Sequence, residues 1–224
     1  MKTSLRNMLN QARRFLASEI SGDYRFPPGF HFASCGRLAY ELVLDASPSM
    51  EDDDYPPSRF AAAKQAATGF LQKCAEQTPE ALVGVIFYAA SAAVAAPLLP
   101  ARTHSCQLRQ AIDAGEIEMA TNIGAGLITA GQELMALGAT VSPAIVLLTD
   151  GHSNTGPDPV QVASQLKAMN VRLDIIGIGG SPSQVNEAGL KQMASILDGQ
   201  LRYWFIRDTT TLVRKFEALA LGKL

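Results

Sequence analysis

Five nearly continuous apolar runs punctuate this chain: AYELVLD (39–45), ALVGVIFY (81–88), AIVLLTD (144–150), VRLDIIGIG (171–179) and LRYWFI (201–206). A strand with one wet face alternates apolar and polar residues, whereas a strand covered on both faces does not. The runs therefore predict strands held between two layers. Between them lie segments of helical period: 58–77, 122–138, 158–170, 184–199 and 210–221. In several of these Ala and Leu recur at i, i+3 and i+4, the spacing of one helix face. A further helix is expected around 104–113, opened by His104. AVAAPLL (93–99) is expected to pair antiparallel at a sheet edge. Strands alternating with helices of this length give an α/β fold. Its sheet is doubly wound and mainly parallel, with one short antiparallel edge strand and helices on both faces.

The N-terminus reads differently. Leu5, Met8, Leu9, Ala12, Phe15 and Leu16 recur at helical spacing within residues 4–20, and SGDYRFPPGFHF follows. A Pro pair among aromatics signals an ordered loop. The organisation expected is a helix with an ordered extension over residues 1–38, then one α/β domain over 39–224. MKTSLRNMLNQARRFLASEI has no continuous apolar core of signal-peptide length. The longest apolar stretch, ALVGVIFYAASAAVAAPLL, is interrupted by Gly84, Ser91 and Pro97 and reads as two strands rather than a membrane helix. A cytoplasmic location is expected. The formal net charge is −2 and the basic residues are scattered, which argues against nucleic acid or an anionic membrane as partner. Cys35, Cys74 and Cys106 are odd in number and form no CxxC pair. They read as small buried hydrophobes or free thiols in a reducing compartment.

In open α/β sheets the functional crevice lies beyond the carboxyl ends of the strands. Asp45 ends the first run and Asp150 ends the third, so both carboxylates project to the same edge. Asp45 opens DASPS, with Ser47 and Ser49 at i+2 and i+4. Taken alone, this is also the composition of an ordinary turn, since Asp and Ser bond local backbone. Thr121, in MATNIGAGL, stands just before a helix and has an equally plain reading as its N-cap. Together the three loops supply two carboxylates and three hydroxyls, all hard oxygen donors. Such a set suits Mg²⁺ or Mn²⁺, whereas zinc and copper favour imidazole or thiolate.

DASPS, a distant Thr121 before a helix, and LLTDG together resemble the metal-ion-dependent adhesion site of von Willebrand factor type A domains, whose pattern is DxSxS, a distant Thr and a distant Asp. The resemblance runs over roughly residues 38–222. SRFAAAKQAATGFL, VGVIFY, LDIIGIG and LKQMASILDGQLRYW also resemble the family. It implies a Rossmann-like fold and a Mg²⁺ site, with Mn²⁺ or Ca²⁺ as substitutes. Ser47, Ser49 and Thr121 would bind the ion directly, and Asp45 and Asp150 would act close by through waters. It implies binding rather than turnover: an Asp or Glu of a partner protein completes the ion's shell. Partners in larger assemblies, with an ATPase or with kinases and phosphatases, fit the same resemblance. One departure is Pro48, where the family commonly has Gly; proline pushes Ser47 toward an extended backbone.

The rim of such a site would comprise His152, Ser153, Asn154 and the segment 51–57. Its acids, Glu51 to Asp54, read as a solvated loop, or as a bias on partner choice or a second cation's ligands. Two other readings stand beside this one. A Mg²⁺-dependent phosphotransferase would use Asp45 as nucleophile, although Ser47 stands where that class carries a second acid. A scaffold with an incidental metal site would make the N-terminal 38 residues the functional part. No G-x-S-x-G elbow is present, and His31, His104 and His152 suggest no triad; His31 reads as a loop or packing residue.

Overall fold

The computed structural model describes residues 24–33 and 36–221; the expected helix at 4–20 and Cys35 lie outside the described residues. In chain order the strands are β1 (Arg37–Asp45), β2 (Leu82–Tyr88), β3 (Ala92–Pro100), β4 (Val141–Thr149), β5 (Arg172–Ile178), β6 (Ile196–Leu197), β7 (Gln200–Leu201) and β8 (Tyr203–Ile206). Six of them form one sheet in the order β3-β2-β1-β4-β5-β8. The antiparallel pair is β2–β3, at the edge the sequence predicts; the other neighbours run parallel. The chain starts in the middle of the sheet, winds outward through β2 and β3, then returns to β4 and winds the other way. The winding reverses between β1 and β4, and that boundary is where a doubly wound sheet opens its crevice.

Among the described residues, three helices cover each face. Buried residues of α1 (Arg59–Gln77), α2 (Ser105–Asp113) and α6 (Thr209–Ala220) share one core with Tyr40, Leu42 and Leu44 of β1. Those of α3 (Ile123–Ala136), α4 (Pro159–Ala168) and α5 (Glu187–Met193) share the other with Ala39 and Val43. Alternate residues of one strand thus feed two cores, as the period of two requires. On the first face the Tyr40, Phe70 and Phe216 rings meet edge-on, with centroids 5.1 and 6.3 Å apart. Each such fully buried apolar side chain contributes about 1.5–3 kcal/mol.

The Pro-Pro-aromatic loop is packed against the second core. Phe26 and Phe32 are buried, and the bare backbone of Gly131 leaves room for the Phe26 ring. The Phe26 amide donates to Gln165 Oε1 at 2.9 Å and the Phe32 amide to the Met169 carbonyl at 3.0 Å. His31 is exposed, with Nδ1 2.9 Å from the Ala168 carbonyl, in keeping with a loop position.

One expected helix is corrected. Instead of one helix over 184–199, the chain over 182–201 makes a 3₁₀ turn at Pro182–Gln184, the short α5 capped by Asn186, and the β6–β7 hairpin. Asp198 and Gly199 have φ of 50° and 77°. Positive φ at both central residues is the geometry of a two-residue type I′ hairpin, for which Asp-Gly is a preferred pair. Ile196 and Leu197, counted as a helical face, are instead exposed strand residues at 72% and 40%. For the same reason the last strand begins at Tyr203 rather than Leu201.

Candidate metal centre

At the carboxyl end of β1 the chain makes a tight, buried turn. Ser47 is extended (φ −74°, ψ 163°), as a residue before proline should be, and Pro48 opens a 3₁₀ turn over Pro48–Glu51. Pro48 is thus accommodated in place of the commoner Gly. The Ser47 amide donates to Asp45 Oδ1 at 2.9 Å, and the Ser47 and Ser49 hydroxyls stand 3.2 Å apart. Asp45 and Ser47 are fully buried.

Asp45 is held from three sides. Its Oδ2 accepts the Tyr88 hydroxyl at 2.9 Å and the Thr149 hydroxyl at 3.0 Å, from the ends of the strands on either side. Burial, then the nearby charge of Asp150, pushes the Asp45 carboxyl up to about 6, against the lowering hydrogen bonds from Ser47 and Tyr88. Burial and the Asp45 charge likewise drive the Tyr88 hydroxyl well above its ordinary range, so it stays a proton donor. Tyr88 and Thr149 were not singled out in the sequence; the signal was their position, the last residue of one run and the residue before the terminal Asp of another.

Asp150 follows β4 and is 6% exposed. Thr121 lies in the loop before α3, also buried. The cap of α3 is its neighbour: Asn122 Oδ1 accepts the Ala125 amide at 2.9 Å. The plain reading of Thr121 as helix cap therefore falls to Asn122, and its hydroxyl is not used in that way. Ala120, at φ 66°, turns the chain just before it. This loop is joined to the one after Asp150. The Thr121 amide donates to Asn154 Oδ1 at 3.0 Å, the Asn154 amide returns to the Thr121 carbonyl at 2.9 Å, and the Ile123 amide donates to Ser153 Oγ at 3.3 Å. The Glu118 amide, on the same loop, donates to the carbonyl of Ala46 at 2.8 Å. The structure thus gathers the segments carrying Asp45, Ser47, Ser49, Thr121 and Asp150 at one end of the β1–β4 boundary.

Of the rim residues, His152 and Asn154 are exposed, and His152 Nε2 lies 2.8 Å from the Gln184 carbonyl. Met119, on the loop of Thr121, is 77% exposed. The acids at 51–54 are all on the surface, as a solvated loop would be. Two of them do more. Asp52 and Asp54 pair with Arg59, a buried side chain that is not among the expected site residues. The signal for it is a cation opening an otherwise apolar helix face, separated by four residues from a run of four acids.

The donor set fits a hard divalent cation. Two carboxylates, Asp45 and Asp150, are buried, and the charge of Asp150 is felt at Asp45, which favours a cation nearby; the accompanying donors are hydroxyl oxygens. Among the described residues no group of three His, Cys, Asp or Glu is placed to hold a metal, so the hydroxyls are essential to any ion bound here.

Comparison with known proteins agrees with this fold. The profile of the von Willebrand factor type A domain matches residues 42–218. A "UPF0353 protein" of Mycolicibacterium paratuberculosis is 31% identical over 188 residues, covering 73% of this chain and 54% of the relative. The chain spans about half the length of the curated relatives it matches. Among solved structures, a von Willebrand factor type A protein from Catenulispora acidiphila superposes with a TM-score of 0.67 at 22% identity, over 83% of this chain and 42% of that one. Proximal thread matrix protein 1 from the mussel byssus, with a zinc-occupied MIDAS motif, gives 0.65 at 20% identity, over 84% and 48%.

Proposed function

The chain belongs to the von Willebrand factor type A domain family, and on that premise we propose that it is a protein-interaction module that binds an acidic side chain of a partner through a divalent cation. The observation that supports this reading best is the convergence of DASPS, Thr121 and Asp150 at the switch point of the sheet, with Thr121 released from helix capping by Asn122. Ser47, Ser49 and Thr121 would hold the ion through their hydroxyls, with Asp45 and Asp150 beside it. Mg²⁺ suits this oxygen set, and Mn²⁺ or Ca²⁺ can substitute. A bound ion of this kind supplies an electrophilic position that an Asp or Glu carboxylate can complete.

The chain's own residues prepare the site. Tyr88 and Thr149 orient Asp45, and the Ser47 amide fixes its other oxygen. This bonding also argues against a phosphotransferase. A carboxylate nucleophile needs an accessible lone pair, and Asp45 is fully buried with both oxygens engaged. Recognition then rests on the rim: Met119 and Asn154 present apolar and polar contact surface around the ion. A scaffold role for residues 1–38 finds no support in the described part of the extension, where Phe26 and Phe32 are spent on the core. A reducing, cytoplasmic setting suits the free thiols of Cys74 and Cys106. Among the described residues no helix is long and apolar enough to cross a membrane. The partner belongs to a larger assembly of the ATPase or kinase and phosphatase kind.

Thermal unfolding in EDTA, Mg²⁺ and Mn²⁺ tests the proposal. An ion at one hundred times its dissociation constant stabilises a fold by about 2.7 kcal/mol. The wild type should show a metal-dependent rise in Tm that the Ser47→Ala, Ser49→Ala double variant lacks, and acidic peptides should bind only with metal present. Equal curves in EDTA and saturating Mn²⁺ for the wild type would remove the metal from the account.

A further inference from the structure

Arg59 is the first residue of α1, where a cation is disfavoured because the helix N-terminus carries partial positive charge. It is also 5% exposed. A buried guanidinium in such a place needs anions, and the site supplies three. Nε and Nη2 form a bidentate pair with Asp54, at 2.7 and 2.6 Å. Nη2 lies 3.1 Å from Asp52 Oδ2. Nη1 faces the metal centre: it is 3.7 Å from Asp150 Oδ2 and donates to the Ser49 carbonyl at 3.4 Å. The same side chain therefore touches the acidic loop, the DxSxS turn and the terminal Asp of β4.

We infer that Arg59 is a resident counter-cation of the metal centre, which shares Asp150 with the ion and so holds down the centre's affinity for it. This rests on the metal reading above and adds its regulation. Three carboxylates, Asp52, Asp54 and Asp150, gather at one guanidinium. With no ion bound, Arg59 keeps Asp150 compensated and braces the Ser49 carbonyl, so the turn keeps its form. An incoming divalent ion meets a positive charge already placed at one oxygen of Asp150. Asp52 and Asp54 divert part of that charge away from the centre. They act as the adjustment: the more firmly they hold the guanidinium, the less it opposes the ion.

The two kinds of substitution consequently act with opposite sign. Arg59→Met removes the competing cation and leaves Asp52 and Asp54 uncompensated beside the centre, so Mn²⁺ binding tightens. Asp54→Asn keeps the shape and one hydrogen bond but releases guanidinium charge toward Asp150, so Mn²⁺ binding weakens. Each shift is on the order of tenfold, as expected for one charge several ångströms away in a partly screened site.

Mn²⁺ titration of the full chain, followed by calorimetry, measures these shifts for wild type, Arg59→Met, Asp54→Asn and the Ser47→Ala, Ser49→Ala control. Thermal unfolding in EDTA reports the apo stability of each. Opposite shifts, with Arg59→Met less stable in EDTA yet more strongly rescued by Mn²⁺, establish the inference. A purely structural Arg59 would weaken binding in both variants as the turn loosens, and that result, or unchanged affinities, overturns it. Should Arg59→Met fail to fold, Asp54→Asn and Asp52→Asn still decide: tighter or unchanged Mn²⁺ binding in both refutes the charge argument. Wild type that binds no Mn²⁺ refutes the metal reading itself, and this inference with it; wild type that binds, with parallel variants, refutes only the role of Arg59.

Discussion

Glu41 sits in the middle of β1 with no exposed surface and no hydrogen-bond partner for either carboxyl oxygen. Gly84, its register partner on β2, leaves the space its carboxyl occupies. Burial first, and the charge of Glu133 second, raise Glu41 well above its ordinary value of 4.5. A group raised by folding contributes stability below its unfolded pKa and loses it as pH climbs through the folded one. Keeping this carboxyl uncharged above its ordinary value of 4.5 costs stability that grows by about 1.4 kcal/mol per pH unit until the folded value is reached. Glu41→Gln removes that cost while keeping the shape. Above pH 4.5 the variant should gain on the wild type by about 1.4 kcal/mol per pH unit, or roughly 3–5 °C in Tm per unit for a domain of this size. Its advantage should shrink steadily toward pH 4.5. Paired urea unfolding from pH 4.5 to 8 in EDTA reads this directly, since every other titrating group cancels between the two proteins. The buried amide adds only a constant offset, so the slope is the decisive quantity. A difference that stays flat with pH would refute the reasoning.

Three further outcomes are expected. Ala120→Gly relieves the φ of 66° before Thr121 and should raise stability by about 0.5–1 kcal/mol in urea unfolding, the left-handed strain of Ala outweighing the greater chain entropy of Gly. Gly156→Ala forces a methyl onto the amide of Asn122 at a φ of 80°, and should lower stability by about 2 kcal/mol through loss of the α3 cap. Asp174 is fully buried, with Arg202 Nε at 2.6 Å and Arg172 Nε at 3.0 Å. Asp174→Ala removes the buried carboxylate those two guanidinium groups share and should destabilise by about 3–5 kcal/mol, measured by the same unfolding curves.

The layered sheet was legible because strands buried on both faces leave a signature no surface strand shares. The edge strand at 93–99 and the helix after His104 were legible too, since each is bounded by clear turn chemistry. The apolar spacing over 184–199 suits a hairpin as well as a helix, and Asp198-Gly199 is the local signal that separates the two; the helix is confined to Glu187–Met193. At the candidate metal centre the oxygens of Asp45, Ser47, Ser49, Thr121 and Asp150 are visible as a motif. Their supports are not. Tyr88 and Thr149 reach Asp45 only through strand register, which is a property of pairing and not of local sequence. Arg59 lies ten residues beyond Ser49, and only the fold shows that it faces Asp150. The packing of Phe26 and Phe32 likewise depends on gaps, such as the one at Gly131, that no neighbouring residue announces.

The reciprocal bonds between Thr121 and Asn154, with Ser153 beside them, bear on how this scaffold can be re-engineered. The two loops are one mechanical part, although they lie some thirty positions apart in the chain. A designer who grafts a new recognition loop after Asp150 and leaves 119–122 in place will sever the brace on Thr121. Exchange of the rim has to treat both segments as a single cassette.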